Sequence, residues 1–335
     1  MADIAPGSDR LADRLPQLGF GAAAIATNEW VTDEQATDCL QAAWELGFRY
    51  FDTAPMYGSG VSERRLGQSL SNWPRDRYLL STKVGRLVRP GHPETASTGA
   101  GWIYDFSRDG VLRSLEESLV RLGVDRVDVV YLHDPDDHWA QAIDEAWPVL
   151  ADLRSQKVVG AVGVGMTQAR MLTRFVIEAD LDLVLAAGVY SLLDHEGLVE
   201  LLPAAAARGV RVVVAQALHG GLIDGVPDSL FHYRPTPPDV RERAERIAQI
   251  CRGHGVPTAA AALQFPLGHP AVVGVLTGPA VRAQVEQNLS WMRTAVPAEL
   301  WDDLRSAGLL SGQVPTPLPG VLPDPLQPKS GEADE

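Results

Sequence analysis

Short apolar runs alternate along this chain with longer stretches in which apolar residues recur at helical spacing. Eight runs read as strands: 18–25, 49–52, 78–83, 127–132, 158–163, 183–185, 210–215 and 272–276. Most are rich in Val and Leu rather than alternating with polar residues, as expected of strands covered on both faces. Between them the 3.6-residue period predicts helices over 33–46, 62–70, 108–123, 139–155, 168–178, 195–208, 239–253 and 279–291. Two further helices are expected, one following Pro257 to about Leu267 and one over 298–307. Thr32 with Gln35 has the spacing of a capping box, Ser107 caps the third helix, and Gly47 stops the first. Eight strand–helix alternations predict a single (β/α)8 TIM barrel. A doubly wound sheet is the competing architecture, but the first strand–helix junction carries Gly19 and Gly21 followed by alanines, with no GxGxxG.

The pattern also divides the chain. Residues 1–13 are polar and read as a flexible N-terminus, 14–310 as the barrel, and 311–335 as a proline-rich, extended or disordered tail. Two loops, 84–106 and 216–236, are long for a compact domain and are expected at the functional face.

The candidate chemistry lies at the ends of three successive strands. In GFRYFDTAPMYGSGVSERRLG, Asp52 ends the second strand and Tyr57 follows on a glycine-flanked turn. Lys83 ends the third strand and His133 follows the fourth. A carboxylate directed into a barrel is costly to bury without a cation, and Lys83 is the candidate partner. Alone, each residue has an ordinary reading as a cap, a snorkelling lysine or a structural histidine. Together, on consecutive strands at the face where barrel sites are built, they read as an active site.

Those blocks, with STKVG, DVVYLHDPD, VVGAVGVGM, VLAAGVYSLLD, AAALQFPLGHPAV and VEQN, resemble the aldo-keto reductase family from about Leu18 to about Leu310. Within the family they are most similar to a branch of sugar- and pyridoxal-oxidising dehydrogenases. The resemblance implies an NAD(P)-dependent oxidoreductase in which Tyr57 is the general acid/base, Lys83 lowers its pKa, Asp52 holds Lys83, and His133 orients the substrate oxygen. It implies cofactor contacts from Gly21, Ala22, Asp52, Gly165, Met166, Thr167, Gln216, Leu218, Gly220, Thr277, Gly278, Arg282, Gln284 and Asn288. Ala280 and Val281 stand where many relatives carry Ser and a basic residue, so NAD is expected, with NADP retained because Arg282 is adjacent. Gly165-Met166, Ala187, Ala215, Val189 and His219-Gly220 depart from common family residues around the nicotinamide and the pocket. Trp30, Met56, Trp102 and Asp134 are the candidate substrate contacts.

The function expected on this resemblance is oxidation of an aldose at C1 to the lactone. Pyridoxal or general aldehyde chemistry, a Schiff-base aldolase using Lys83, and a cofactor-binding regulatory subunit are the alternatives. Composition narrows the partners. The chain has 335 residues, 45% of them hydrophobic, and a net charge of −14, which disfavours nucleic acid and anionic membranes. No metal-ligand spacing, signal peptide or 18-residue apolar run is present, so a small-molecule substrate, no metal and a cytoplasmic location are expected. The sequence leaves the oligomeric state open.

Overall fold

The computed structural model describes residues 10–89, 101–232, 234–318 and 324–329. Its centre is a closed barrel of eight parallel strands: β1 (Leu18–Gly21), β2 (Tyr50–Asp52), β3 (Leu79–Val84), β4 (Val129–His133), β5 (Ala161–Met166), β6 (Leu183–Ala187), β7 (Arg211–Ala215) and β8 (Val272–Thr277). Each pairs with its sequence neighbours, and β8 returns to β1 through Leu18↔Val275 and Phe20↔Thr277. The fold is the expected (β/α)8 barrel. Tyr50, Val129, Tyr131, Leu183, Leu185, Val213 and Leu276 fill its interior, and a larger apolar layer lies between strands and helices.

Local signals explain the elements. The helix Asp33–Leu46 opens on the Thr32/Gln35 capping box and ends at Gly47, whose φ of 99° few other residues adopt. Ser107 accepts from the Gly110 N–H at the start of Arg108–Leu122. The predicted helix 139–155 is interrupted by a π turn, Ala142–Ala146, where Trp147 N–H reaches back to Ala142. Pro148 follows directly and has no N–H for a normal helical bond, which accounts for the irregularity.

Three differences from the sequence expectation matter. β5 begins at Ala161 rather than 158, because the Val158 and Val159 N–H groups bond to Leu153 O and finish the preceding helix. β1 stops at Gly21, and Ala24–Thr27 forms a helical turn. The described parts of both terminal segments are packed: Leu11–Arg14 is a 3-10 turn that places Ala12 in the interior cluster. Likewise Leu18 N–H donates to Pro325 O (2.8 Å), Gln17 N–H to Gln327 O (3.1 Å), and Leu326 is buried. Apolar side chains beside unpaired backbone at the barrel's lower rim give these segments a reason to order.

Both long loops are structured where described. The first contains the hairpin Arg86–Val88 with Trp102–Tyr104, and residues 90–100 lie outside the described set. The second contains the 3-10 segment His219–Asp224 and the short hairpin Leu230–Phe231 with Arg234–Pro235. Among the described residues, no helix is long and apolar enough to cross a membrane. No group of three or more His, Cys, Asp or Glu among them is arranged to hold a metal.

Candidate active site

Asp52 and Lys83 meet inside the barrel mouth. Lys83 Nζ donates to Asp52 Oδ2 at 2.6 Å and to Thr53 O at 3.0 Å, and both residues are buried. The other carboxylate oxygen, Oδ1, accepts from Ser81 Oγ at 2.7 Å. Beneath them the Tyr50 and Tyr131 hydroxyls lie 3.2 Å apart. The carboxylate is therefore held on both oxygens, which fixes the direction in which Lys83 extends.

Tyr57 reaches the same point from the β2 loop. Its N–H bonds to Ala54 O, and Gly58, Ser59 and Gly60 all take positive φ. At Gly58 a Cβ would sit 2.8 Å from Ala26 O, so the turn that presents Tyr57 requires glycine. Lys83 Nζ hydrogen-bonds Tyr57 and lies 4.8 Å from its ring centroid. The Tyr57 and His133 rings meet edge to face at 5.9 Å. The four residues singled out from sequence thus converge.

Their charges are set by these contacts. Burial works against the Lys83 ammonium, but the Asp52 charge and then Tyr57 outweigh it, so its pKa is raised and it stays protonated. Burial first, then Lys83 and Arg86, hold His133 well below the usual histidine range. It is a neutral imidazole at physiological pH, able to donate one N–H and accept at the other nitrogen.

Arg86 is the residue the sequence reading missed. It stands at the start of the hairpin, three positions beyond Lys83 in KVGR, and is only 9% exposed. Its Nη2 donates to Asp134 Oδ2 at 2.5 Å, and Nη1 contacts Met56 Sδ. Its guanidinium faces the Trp102 and Tyr104 rings at 5.8 and 5.0 Å. Three of the four predicted substrate contacts, Met56, Trp102 and Asp134, thereby gather around one cation beside His133. Trp30 is 55% exposed and does not join them. The available signal was a basic residue just past the strand that carries Lys83, hidden because 84–106 reads as a loop with no strand pattern to mark the hairpin.

The opposite half of the mouth is lined by small residues. A Cβ on Gly165 would approach Lys83 Cε at 3.8 Å, while Ala187 and Ala215 pair across β6 and β7. After β7 the backbone turns through positive φ at Gln216, His219, Gly220 and Gly221, with Leu218 half-buried between them. Gly21 packs on Thr277, where a Cβ would lie 3.3 Å from the Thr277 carbonyl, and Gly278 lies near Gly21 O. Thr277 Oγ1 is buried without a hydrogen-bond partner among the described residues. Ala22 is fully buried, its N–H bonded to Asp52 O and its carbonyl accepting from Ser62 Oγ at 2.7 Å. Met166 packs into the outer apolar layer, and Thr167 stands half-buried just beyond it. Gln284 accepts from Ala280 N–H at 2.7 Å, ordering the start of the helix Arg282–Arg293, on which Asn288 is buried. Arg282 turns instead to Asp38 (2.8 Å) and Glu45 (3.2 Å) on Asp33–Leu46. A glycine- and alanine-lined recess, an unsatisfied threonine hydroxyl and a helix start fit a dinucleotide cofactor.

Buried histidines give the molecule an acid limit. Burial chiefly lowers His195, His219 and His269 to about 4, and His133 is lowered as well. The unfolded chain takes up protons at these positions below the unperturbed value near 6.5, whereas the native state does so only near 4 at His195, His219 and His269 and well below the usual range at His133. Stability should therefore fall as pH drops from about 6.5 towards 4, by up to about 1.4 kcal/mol per unit for each such histidine. Urea midpoints across pH 5–8 test this, and a flat midpoint between pH 5 and 7 would refute it.

Comparison with known proteins agrees with this geometry. The model of the family described as "Aldo/keto reductase family" matches residues 17–308. A D-threo-aldose 1-dehydrogenase of Pseudomonas sp is 40% identical over 334 residues, covering 95% of this chain and all of that protein. A pyridoxal 4-dehydrogenase of Microbacterium luteolum is 36% identical, covering 88% and 94%. Among solved structures, a glycerol dehydrogenase from Gluconobacter oxydans superposes with a TM-score of 0.72 at 22% identity, covering 93% of this chain and 99% of that one.

Proposed function

The chain belongs to the aldo/keto reductase family and is an NAD(P)-dependent oxidoreductase, and from that premise we propose that it oxidises an aldose at C1 to the lactone, with NAD as the preferred acceptor. The observation that carries the chemistry is the Lys83 ammonium, fixed on Asp52 at 2.6 Å and hydrogen-bonded to Tyr57. A phenol is a weak base at neutral pH unless its anion is stabilised, and a charged, desolvated ammonium does that. Tyr57 then takes the proton of the C1 hydroxyl, and in the reverse direction returns it to the carbonyl oxygen. Neutral His133 donates a hydrogen bond to the same oxygen and sets its direction. A bound nicotinamide cofactor would supply the hydride acceptor for C1. Gly165, Ala187 and Ala215 leave room for its ring, and Thr277 with the 216–221 turn would hold the rest of the dinucleotide.

The choice of NAD rests on Arg282. It is the one cation in the segment 277–284. Its guanidinium is engaged by two carboxylates of Asp33–Leu46, leaving no charge from this segment for a 2′-phosphate. The aldose reading leans on the 40% identical relative. Against the aldolase alternative, a Schiff-base lysine must be a neutral amine, whereas Lys83 is held protonated.

The test is absorbance at 340 nm with NAD and, separately, NADP over a panel of aldoses, pyridoxal and simple aldehydes. Turnover of an aldose with higher kcat/KM for NAD is expected. A clear preference for NADP would refute the cofactor assignment, and turnover confined to pyridoxal would replace the substrate. Cofactor binding by fluorescence without turnover on any substrate would favour a regulatory role.

A further inference from the structure

The hairpin after β3 brings a second buried ion pair to the mouth. Arg86 and Asp134 pair at 2.5 Å, and Asp134 Oδ2 is 3.9 Å from His133 Nε2, the group assigned to the reacting oxygen. Arg86 Nε–H is buried with no hydrogen-bond partner among the described residues, and neither has the buried Asp136 Oδ1. The guanidinium also faces the Trp102 and Tyr104 rings at 5.8 and 5.0 Å. Asp134 is held at φ 44°, a left-handed conformation uncommon for a non-glycine residue, with its N–H on Gly165 O. A donor and an acceptor therefore stand side by side, next to the histidine assigned to the reacting oxygen.

We infer that Arg86 and Asp134 form a specificity pair that reads the hydroxyl next to the reacting carbon of a neutral polyhydroxy substrate. The inference rests on the aldose reading above. The carboxylate accepts the substrate O–H and the guanidinium donates to its oxygen, the two roles a hydroxyl offers at once. Lys83 is neutralised by Asp52 and Arg86 by Asp134, so the mouth holds no unpaired cation from these residues to draw a phosphorylated or carboxylated sugar. A substrate lacking that hydroxyl leaves buried polar groups unpaired and is disfavoured for that reason.

The experiment compares kcat/KM for the best aldose of the panel and its 2-deoxy counterpart in wild type, Arg86→Met, Arg86→Lys and Asp134→Asn. Wild type should prefer the 2-hydroxyl sugar by about 10- to 100-fold, as expected for a hydrogen bond to a charged group. That ratio should collapse towards one in Arg86→Met and Asp134→Asn and recover in part in Arg86→Lys. Native circular dichroism and cofactor binding confirm that each variant is folded. Should the variants lower both sugars in parallel, with the ratio retained, the pair is structural and the inference fails while the aldose reading stands. Should no aldose be oxidised while other carbonyl substrates turn over, the aldose reading fails and takes the inference with it.

Discussion

Tyr57→Phe is expected to lower kcat by about 10²- to 10⁴-fold, the range general acid–base groups supply. The substitution removes one oxygen and leaves the ring, so the edge-to-face contact with His133 and the ring's position near Lys83 persist. KM should change little by comparison, because the hydroxyl acts on the proton in flight rather than on the body of the substrate. The pH dependence is a second readout. In the oxidative direction wild-type kcat should rise with pH as Tyr57 becomes a competent base, and that limb should vanish in the variant. Full turnover by Tyr57→Phe would remove Tyr57 from the mechanism.

Lys83→Met should damage the enzyme in two separable ways. It removes the ammonium that stabilises the Tyr57 phenolate, so activity should fall at least as far as in Tyr57→Phe at neutral pH. It also leaves Asp52 buried beside Ser81 with no cation. Breaking one side of a buried ion pair costs about 3–5 kcal/mol, because the remaining charge is uncompensated. Urea denaturation should show that loss, and adding Asp52→Asn to Lys83→Met should restore much of the stability but none of the activity. If the double variant is no more stable than the single one, the buried carboxylate is not the source of the cost. Recovery of activity in the double variant would mean that Lys83 has no catalytic role.

The barrel was legible in the sequence because its signals are local and repeated. Val-rich runs, the Thr32/Gln35 box, Ser107 and Gly47 each specify an element from neighbouring residues, and the structure places them with small shifts in boundary. The shift in β5 came from Val158 and Val159, apolar residues whose backbone closes a helix instead of joining the sheet. The meeting of Asp52, Tyr57, Lys83 and His133 was legible because a parallel barrel puts all strand ends on one rim. Arg86 was not, since its role depends on a hairpin whose strands, Arg86–Val88 and Trp102–Tyr104, are joined by a long connection. Nor was the engagement of Arg282, because Asp38 and Glu45 lie at the other end of the chain. Long-range pairing of charges leaves no periodic trace in a sequence, and the order found at 324–329 was masked by a composition typical of unstructured tails.

The closure of β1 on β8 bears on how the protein is made. Phe20 finds one neighbour at Phe51, soon after it is synthesised, and the other at Thr277, near the end of the barrel. While the chain is still growing on a ribosome, the far edge of β1 has no strand to join. The carboxylates Asp38 and Glu45 wait equally long for Arg282. An incomplete chain thus carries two open strand edges, the first and the latest, each a site for pairing with another nascent chain. The same contacts that seal the mature ring therefore make its completion a late event, waiting on the last strand of the barrel.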